Sequence, residues 1–93
     1  MDTNHIDEDS IKIEFPCDYP VKVMGKNVGD FSDTVLEIIR RHAPDLKDEN
    51  ISFRPSRNKN YLAVNVIIYA TGTQQLQALF DDLKASGRVS MVL

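Results

Sequence analysis

Asn60-Tyr61-Leu62-Ala63-Val64-Asn65-Val66-Ile67-Ile68-Tyr69-Ala70 is the stretch whose reading decides the fold. It is the longest run rich in β-branched and aromatic residues and free of Pro and Gly, which is the composition of a strand. Its even positions (Leu62, Val64, Val66, Ile68, Ala70) are uniformly apolar, and its odd positions (Tyr61, Ala63, Asn65, Ile67, Tyr69) are mixed. Successive strand side chains point to opposite faces, so one face is dry and the other half dry. Such a strand belongs at the centre of a small sheet covered on one side.

Downstream, Thr71-Gly72-Thr73 opens a helix over 74–86 with Thr73 as N-cap. Leu76, Leu79, Phe80 and Leu83 fall at i, i+3, i+4 and i+7, one helical face, and Gly87 stands where a C′ glycine ends a helix. The last strand is 89–93, with Val89, Met91 and Leu93 on one side.

Upstream lies a strand over 51–55, with Ile51 and Phe53 inward and Ser52 and Arg54 outward; Pro55 cannot donate to a ladder and marks an edge. Directly opposed residues of an antiparallel pair share a face. Arg54 therefore faces Tyr61 across a two-residue loop or Ala63 across a four-residue loop, with Asn58 and Asn60 suited to a left-handed turn. Further back, Phe31, Val35, Ile38, Ile39 and His42 mark one face of a helix over 31–42. Asp30 is its N-cap, Arg40, Arg41 and His42 suit its C-terminal dipole, and Pro44 ends it. A polar loop (45–50) follows. Before this helix, Phe15-Pro16-Cys17-Asp18 is a turn, the first strand spans 19–24, and Gly25-Lys26-Asn27-Val28-Gly29 is a glycine-bracketed loop.

The order strand, helix, strand, strand, helix, strand is an α+β plan. It is the ferredoxin-like βαββαβ sandwich, a four-stranded antiparallel sheet in order 4-1-3-2 with two helices on one face. The expected core comprises Val21, Val23, Phe31, Val35, Ile38, Ile39, Phe53, Leu62, Val64, Val66, Ile68, Leu76, Leu79, Phe80, Leu83, Val89 and Met91.

Ninety-three residues make one domain, here 15–93, preceded by an acidic tail, 1–14, with too little apolar surface to order itself. Up to Glu14 there are five acids against Lys12; beyond it, nine acids face ten bases. The body is thus nearly neutral, which does not fit a strong polyanion binder. A single cysteine, Cys17, excludes an intrachain disulfide and fits a reducing compartment. No signal-like segment or membrane-length apolar run is present, so a cytoplasmic protein without membrane contact is expected.

Catalytic chemistry finds no footing. One Cys and two distant His (His5, His42) give no metal-ligand spacing, no nucleophile–base motif occurs, and no cofactor motif is present. The loop Gly25–Gly29 has neither Walker nor G-x-G-x-x-G spacing and reads as a turn. His42 reads as structural and Asp81-Asp82 as solvated surface, so a non-enzymatic protein is expected.

With both helices on one face, the other presents Lys22, Met24, Ser52, Arg54, Tyr61, Ala63, Asn65, Ile67, Tyr69, Ser90 and Val92. Of these, Lys22, Met24, Arg54, Asn65, Ile67 and Tyr69 form the candidate interaction face, with Met24, Ile67, Tyr69 and Val92 as an apolar patch. The leading reading is a small regulatory or protein-interaction domain. Its partner is an unidentified protein or a second copy, through the open face or the uncharged edge of the last strand. The alternative is single-stranded RNA binding through the sheet face. The RNA-recognition motif requires a glycine and several aromatics on its third strand. Lys59-Asn60-Tyr61-Leu62-Ala63-Val64 supplies a Lys and one aromatic, lacks the glycine, and has Ala63 where a second ring would stack.

Several segments in combination resemble the YbeD-like family of small bacterial proteins. The carriers are Phe15-Pro16, Lys22-Val23-Met24-Gly25, Arg41-His42-Ala43-Pro44, Pro55-Ser56, Asn60-Tyr61 and Met91-Val92-Leu93, so nearly the whole domain is covered and the acidic tail is not. Family members often place a glycine about where this chain has Lys59. The resemblance implies a ferredoxin-like sandwich similar to the ACT-type domains that regulate amino-acid metabolism, and supplies no catalytic residues. By that analogy Gly25, Lys26, Asn27 and Gly29 form a candidate small-effector loop, although the Asp-x-Pro-Gly type of turn is lacking.

Overall fold

A computed structural model describes residues 14–93. The expectations for the acidic tail before Glu14, including those for His5, lie outside the described residues. The elements are β1 (Cys17–Lys26), α1 (Phe31–His42), a single 3-10 turn (Asp48–Asn50), β2 (Ile51–Pro55), β3 (Tyr61–Ala70), α2 (Thr73–Ala85) and β4 (Val89–Val92). The sheet is antiparallel throughout, in order β2-β3-β1-β4, which is the expected 4-1-3-2 arrangement read from the other edge.

β3 is one of the two inner strands, flanked by β2 and β1. Its even positions Val64, Val66, Ile68 and Ala70 are buried, with Leu62 half-buried at the strand's start. They meet Val21 and Val23 of β1, Phe31, Val35, Ile38 and Ile39 of α1, and Leu76, Leu79 and Leu83 of α2 in one core. Ala43 and Leu46, in the connection after α1, join that core although the segment reads as polar.

β1 is longer than its sequence suggests. Cys17 and Asp18, read as a turn, pair with Ala70 and Tyr69, and Gly25 and Lys26, read as a loop, pair with Leu62 and Tyr61. The long partner strand recruits them, because ladder pairing overrides weak local propensity.

Phe53 departs from expectation. It lies on the helix side, opposite Val64, yet is 50% exposed. β2 packs chiefly against β3, so its outer end overhangs the helical layer.

The last strand holds the largest correction. Val92 pairs with Val23 and Met91 with Met24, but Gly25 pairs with Val89, so Ser90 is an extra residue, a β-bulge. A one-residue insertion flips every side chain beyond it. Val89 and Val92 therefore both pack on the core, while Met91 (48% exposed) and Leu93 (65% exposed) face outward. Val92 leaves the apolar patch of the open face, and Met91 leaves the core.

The β2–β3 hairpin takes the four-residue alternative, with Arg54 opposite Ala63. Ser56 N–H donates to the Tyr61 carbonyl (2.8 Å), Tyr61 N–H to Ser56 Oγ (3.0 Å), and Lys59 N–H to the Ser56 carbonyl (2.9 Å). The left-handed residue is neither asparagine but Lys59, at φ 63°. A left-handed conformation costs an L-residue roughly 1–2 kcal/mol, partly offset in glycine by its greater loss of chain entropy. Lys59→Gly is therefore expected to stabilise the domain by about 0.5–1 kcal/mol, seen as a melting temperature raised by a few degrees. A lowered melting temperature would contradict this account of the turn.

Candidate interaction face

Strand register places the open-face side chains in rows. Tyr69 lies beside Asp18, and Ile67 beside Pro20. Ser52, Asn65 and Lys22 form the next row, continued by Leu93, whose N–H and carbonyl exchange hydrogen bonds with Lys22 (2.8 and 3.0 Å). Then come Arg54, Ala63, Met24 and Met91, and finally Tyr61 and Lys26. The six residues of the expected face (Lys22, Met24, Arg54, Asn65, Ile67, Tyr69) thus share one surface, as parity requires. Met91 and Leu93 join it, missed because the bulge is invisible in an almost uniformly apolar strand.

This face has two ends of different chemistry. At one end Ile67 (44% exposed), Tyr69 (54% exposed) and Pro20 are apolar and open to solvent. Next to them, Pro20, Lys22, Ser52, Asn65, Ile67 and Leu93 border a cleft of about 430 Å³. Toward the hairpin a second groove, about 480 Å³, is lined by Lys22, Met24, Arg54, Pro55, Ser56, Arg57, Tyr61 and Ala63. Ala63 is only 5% exposed, because its methyl forms the floor between Met24 and Arg54.

Charge is segregated in the same direction. No acid occurs in 19–29 or in 51–80, the segments that build the groove, whereas Lys22, Lys26, Arg54, Arg57 and Lys59 all do. Among the described residues, no carboxylate lies within 4 Å of these five cations. Elsewhere Arg40 pairs with Asp48 (2.8 Å), Arg41 with Glu37 (3.4 Å) and Arg88 with Asp30 (2.6 Å). The near-neutral body is therefore polarised, a fact hidden in its net charge.

Gly25, Lys26, Asn27 and Gly29 do not form one loop. Gly25 and Lys26 are strand residues, Gly25 buried against Phe31 and the Arg88 carbonyl. Asn27 is tied to the hairpin, its N–H donating to the Asn60 carbonyl (2.9 Å) and its Nδ2 to the Lys59 carbonyl (3.2 Å). Gly29, at φ 54°, turns the chain into α1. Asp30 stands at the N-cap position, but its carboxylate accepts from both guanidinium nitrogens of Arg88 instead of capping the helix.

His42 is half-buried at the end of α1, and its Nε2 lies 2.6 Å from Asp82 Oδ2 on α2. Gln75 Nε2 donates to the His42 carbonyl (2.7 Å), and the Thr71 N–H donates to Gln75 Oε1 (2.7 Å). The bonds of His42 with Asp82 and Gln75 tie the two helices together. Asp82 is thus a structural partner, not bare surface; the pairing links positions 40 residues apart and leaves no local trace. No group of three or more metal-ligating side chains occurs among the described residues, and no helix there is long and apolar enough to cross a membrane.

A four-stranded antiparallel sheet with two helices on one face and this strand order defines the ferredoxin-like class, in its ACT-like form. Two solved structures share it. The ACT domain from GTP pyrophosphokinase of Chlorobium tepidum superposes with TM-score 0.64 at 18% identity, over 83% of this chain and 97% of that one. Protein HP0495 from H. pylori superposes with TM-score 0.66 at 19% identity, over 92% of each chain. At those identities the likeness concerns the fold alone. The chain belongs to the DUF493 family, described as proteins of unknown function, whose model matches residues 10–93. It is 57% identical over 83 residues to a UPF0250 protein of Ectopseudomonas mendocina, covering 88% of this chain and 90% of that one. A UPF0250 protein of Ralstonia nicotianae is 41% identical over 81 residues, covering 87% and 84%. The YbeD-like resemblance is thereby borne out.

Proposed function

We propose that the chain is a non-catalytic regulatory or interaction domain that engages a protein partner through the apolar end of its open sheet face. The observation that carries this reading is the exposure of Ile67 and Tyr69, with Ile67 and Leu93 bordering one cleft, on a face the helices leave bare. Exposed apolar surface of this kind commonly marks a contact region, and aromatic residues such as Tyr69 are favoured anchors of interfaces. The amino-acid-effector reading of Gly25–Gly29 gains no support from this geometry, since two of its five residues are paired strand.

The test is capture of partners from the native cell with the wild-type chain and with the Ile67→Lys/Tyr69→Lys variant. Both side chains point to solvent, so the variant is expected to melt within about 1 kcal/mol of wild type while losing its partner. Undiminished capture by the folded variant would overturn the assignment. Unfolding of the variant would show that the faces are wrongly assigned.

A further inference from the structure

The basic groove at the other end of the open face is a separate feature, independent of any partner at Ile67 and Tyr69. We propose that it is a binding site for a small phosphorylated molecule, with the phosphoryl group held by Lys22, Arg54 and Arg57 and the body of the ligand lying over Met24, Ala63 and Tyr61.

The geometry follows from register. Arg54 on β2 and Met24 on β1 flank Ala63 on β3, so their Cα atoms stand two strand spacings apart, about 10 Å. Lys22 lies on the same face two residues from Met24, hence about 7 Å along β1. Side chains as long as Lys and Arg can reach across that span, over a floor lowered by the small Ala63. Arg57, in the hairpin, closes the outer wall. Cations so arranged repel one another, and among the described residues no carboxylate relieves them, so an arriving dianion gains from each. Guanidinium groups also bind phosphate through paired, directed hydrogen bonds.

Size and lining distinguish the ligand class. About 480 Å³ lies within the range of small-molecule sites and matches a nucleotide-sized compound. Single-stranded RNA requires successive stacking platforms along a strand path. Among the described residues Tyr61 is the one aromatic lining the groove, and Ala63 stands where the next ring would be needed. One ring suits one planar group.

The experiment is an NMR titration of the full ¹⁵N-labelled chain with three probes: inorganic pyrophosphate, AMP and a ten-residue oligouridylate. The expected result is saturable shifts at Lys22, Met24, Arg54, Arg57, Tyr61 and Ala63 with both small probes, at dissociation constants of about 1 mM or below. AMP should add a larger perturbation at Tyr61. Arg54→Gln/Arg57→Gln, at two exposed positions, should weaken binding about tenfold or more, whereas Lys47→Gln/Lys84→Gln should not. Retained binding in the Ile67→Lys/Tyr69→Lys variant would show the groove to be independent of the partner surface. Absence of saturable shifts at about 10 mM, equal binding by the Arg54→Gln/Arg57→Gln variant, or oligouridylate binding about tenfold tighter than AMP would each overturn the proposal.

Discussion

Gly25→Ala is expected to destabilise the domain by about 3 kcal/mol or more, at the severe end of what an added core methyl costs. A Cβ at this position would overlap the Arg88 carbonyl oxygen and the edge of the Phe31 ring, whose Cζ would lie 2.7 Å away. Neither can yield cheaply. The carbonyl belongs to backbone tethered between Gly87 and β4, and the ring is 1% exposed, at the first residue of α1 beneath the core. The glycine sits where β1 and β4 change register, and its missing side chain lets a helix and a neighbouring strand approach together. For a domain of this size each kcal/mol shifts the melting temperature by roughly 4–8 °C, so a loss well above 10 °C should appear in a thermal melt. Gly72→Ala is the matched control. Nothing lies within 4 Å of its added Cβ and its φ of 172° is ordinary extended backbone, so it should stay within about 1 kcal/mol. Near-equal melting of the two variants would refute the close approach at Gly25.

The second large effect is a contrast between neighbours. Val92→Asp is expected to cost about 2–3 kcal/mol, because Val92 packs on the core opposite Val23 and a carboxylate there loses solvation without gaining a partner. Met91→Asp is expected to stay within about 0.5 kcal/mol, since Met91 is exposed beside Met24. Simple alternation along 89–93 gives the opposite ranking. Chemical denaturation of the two variants therefore decides whether Ser90 is bulged, and a Met91→Asp variant the less stable of the pair would remove the bulge from the account.

These two sites also mark where sequence reading succeeds and where it stops. β3 announced itself because ten residues alternate cleanly between a uniformly apolar and a mixed set, and parity alone then assigned its faces. The helices were equally legible from their 3.6-residue spacing and from Gly87, which adopts φ 74° after α2 as a C′ glycine should. β4 was not, because four of the five residues in 89–93 are apolar and alternation carries almost no information there. Phe53 misled for a related reason: its type fits a core, but its burial depends on whether a helix reaches the sheet edge. Of the site, the membership of the face was readable. Parity also put Lys22 and Arg54 there; that Arg57 joins them around one groove floored by Ala63 was not readable, since it depends on the register of β1 and β2 to either side of β3. The His42–Asp82 pair likewise exists only once two helices are docked.

The bonds from Asn27 to the hairpin acquire a mechanical meaning in this setting. They fasten the tip that carries Arg57 and Tyr61 to the segment leading into α1. The groove's outer wall is therefore braced from behind at its backbone, so a ligand would meet a loop already held in place and would cost less chain freedom on binding. The same two bonds join the hairpin, on the open side of the sheet, to the short segment that leads through Gly29 into α1 on its far side.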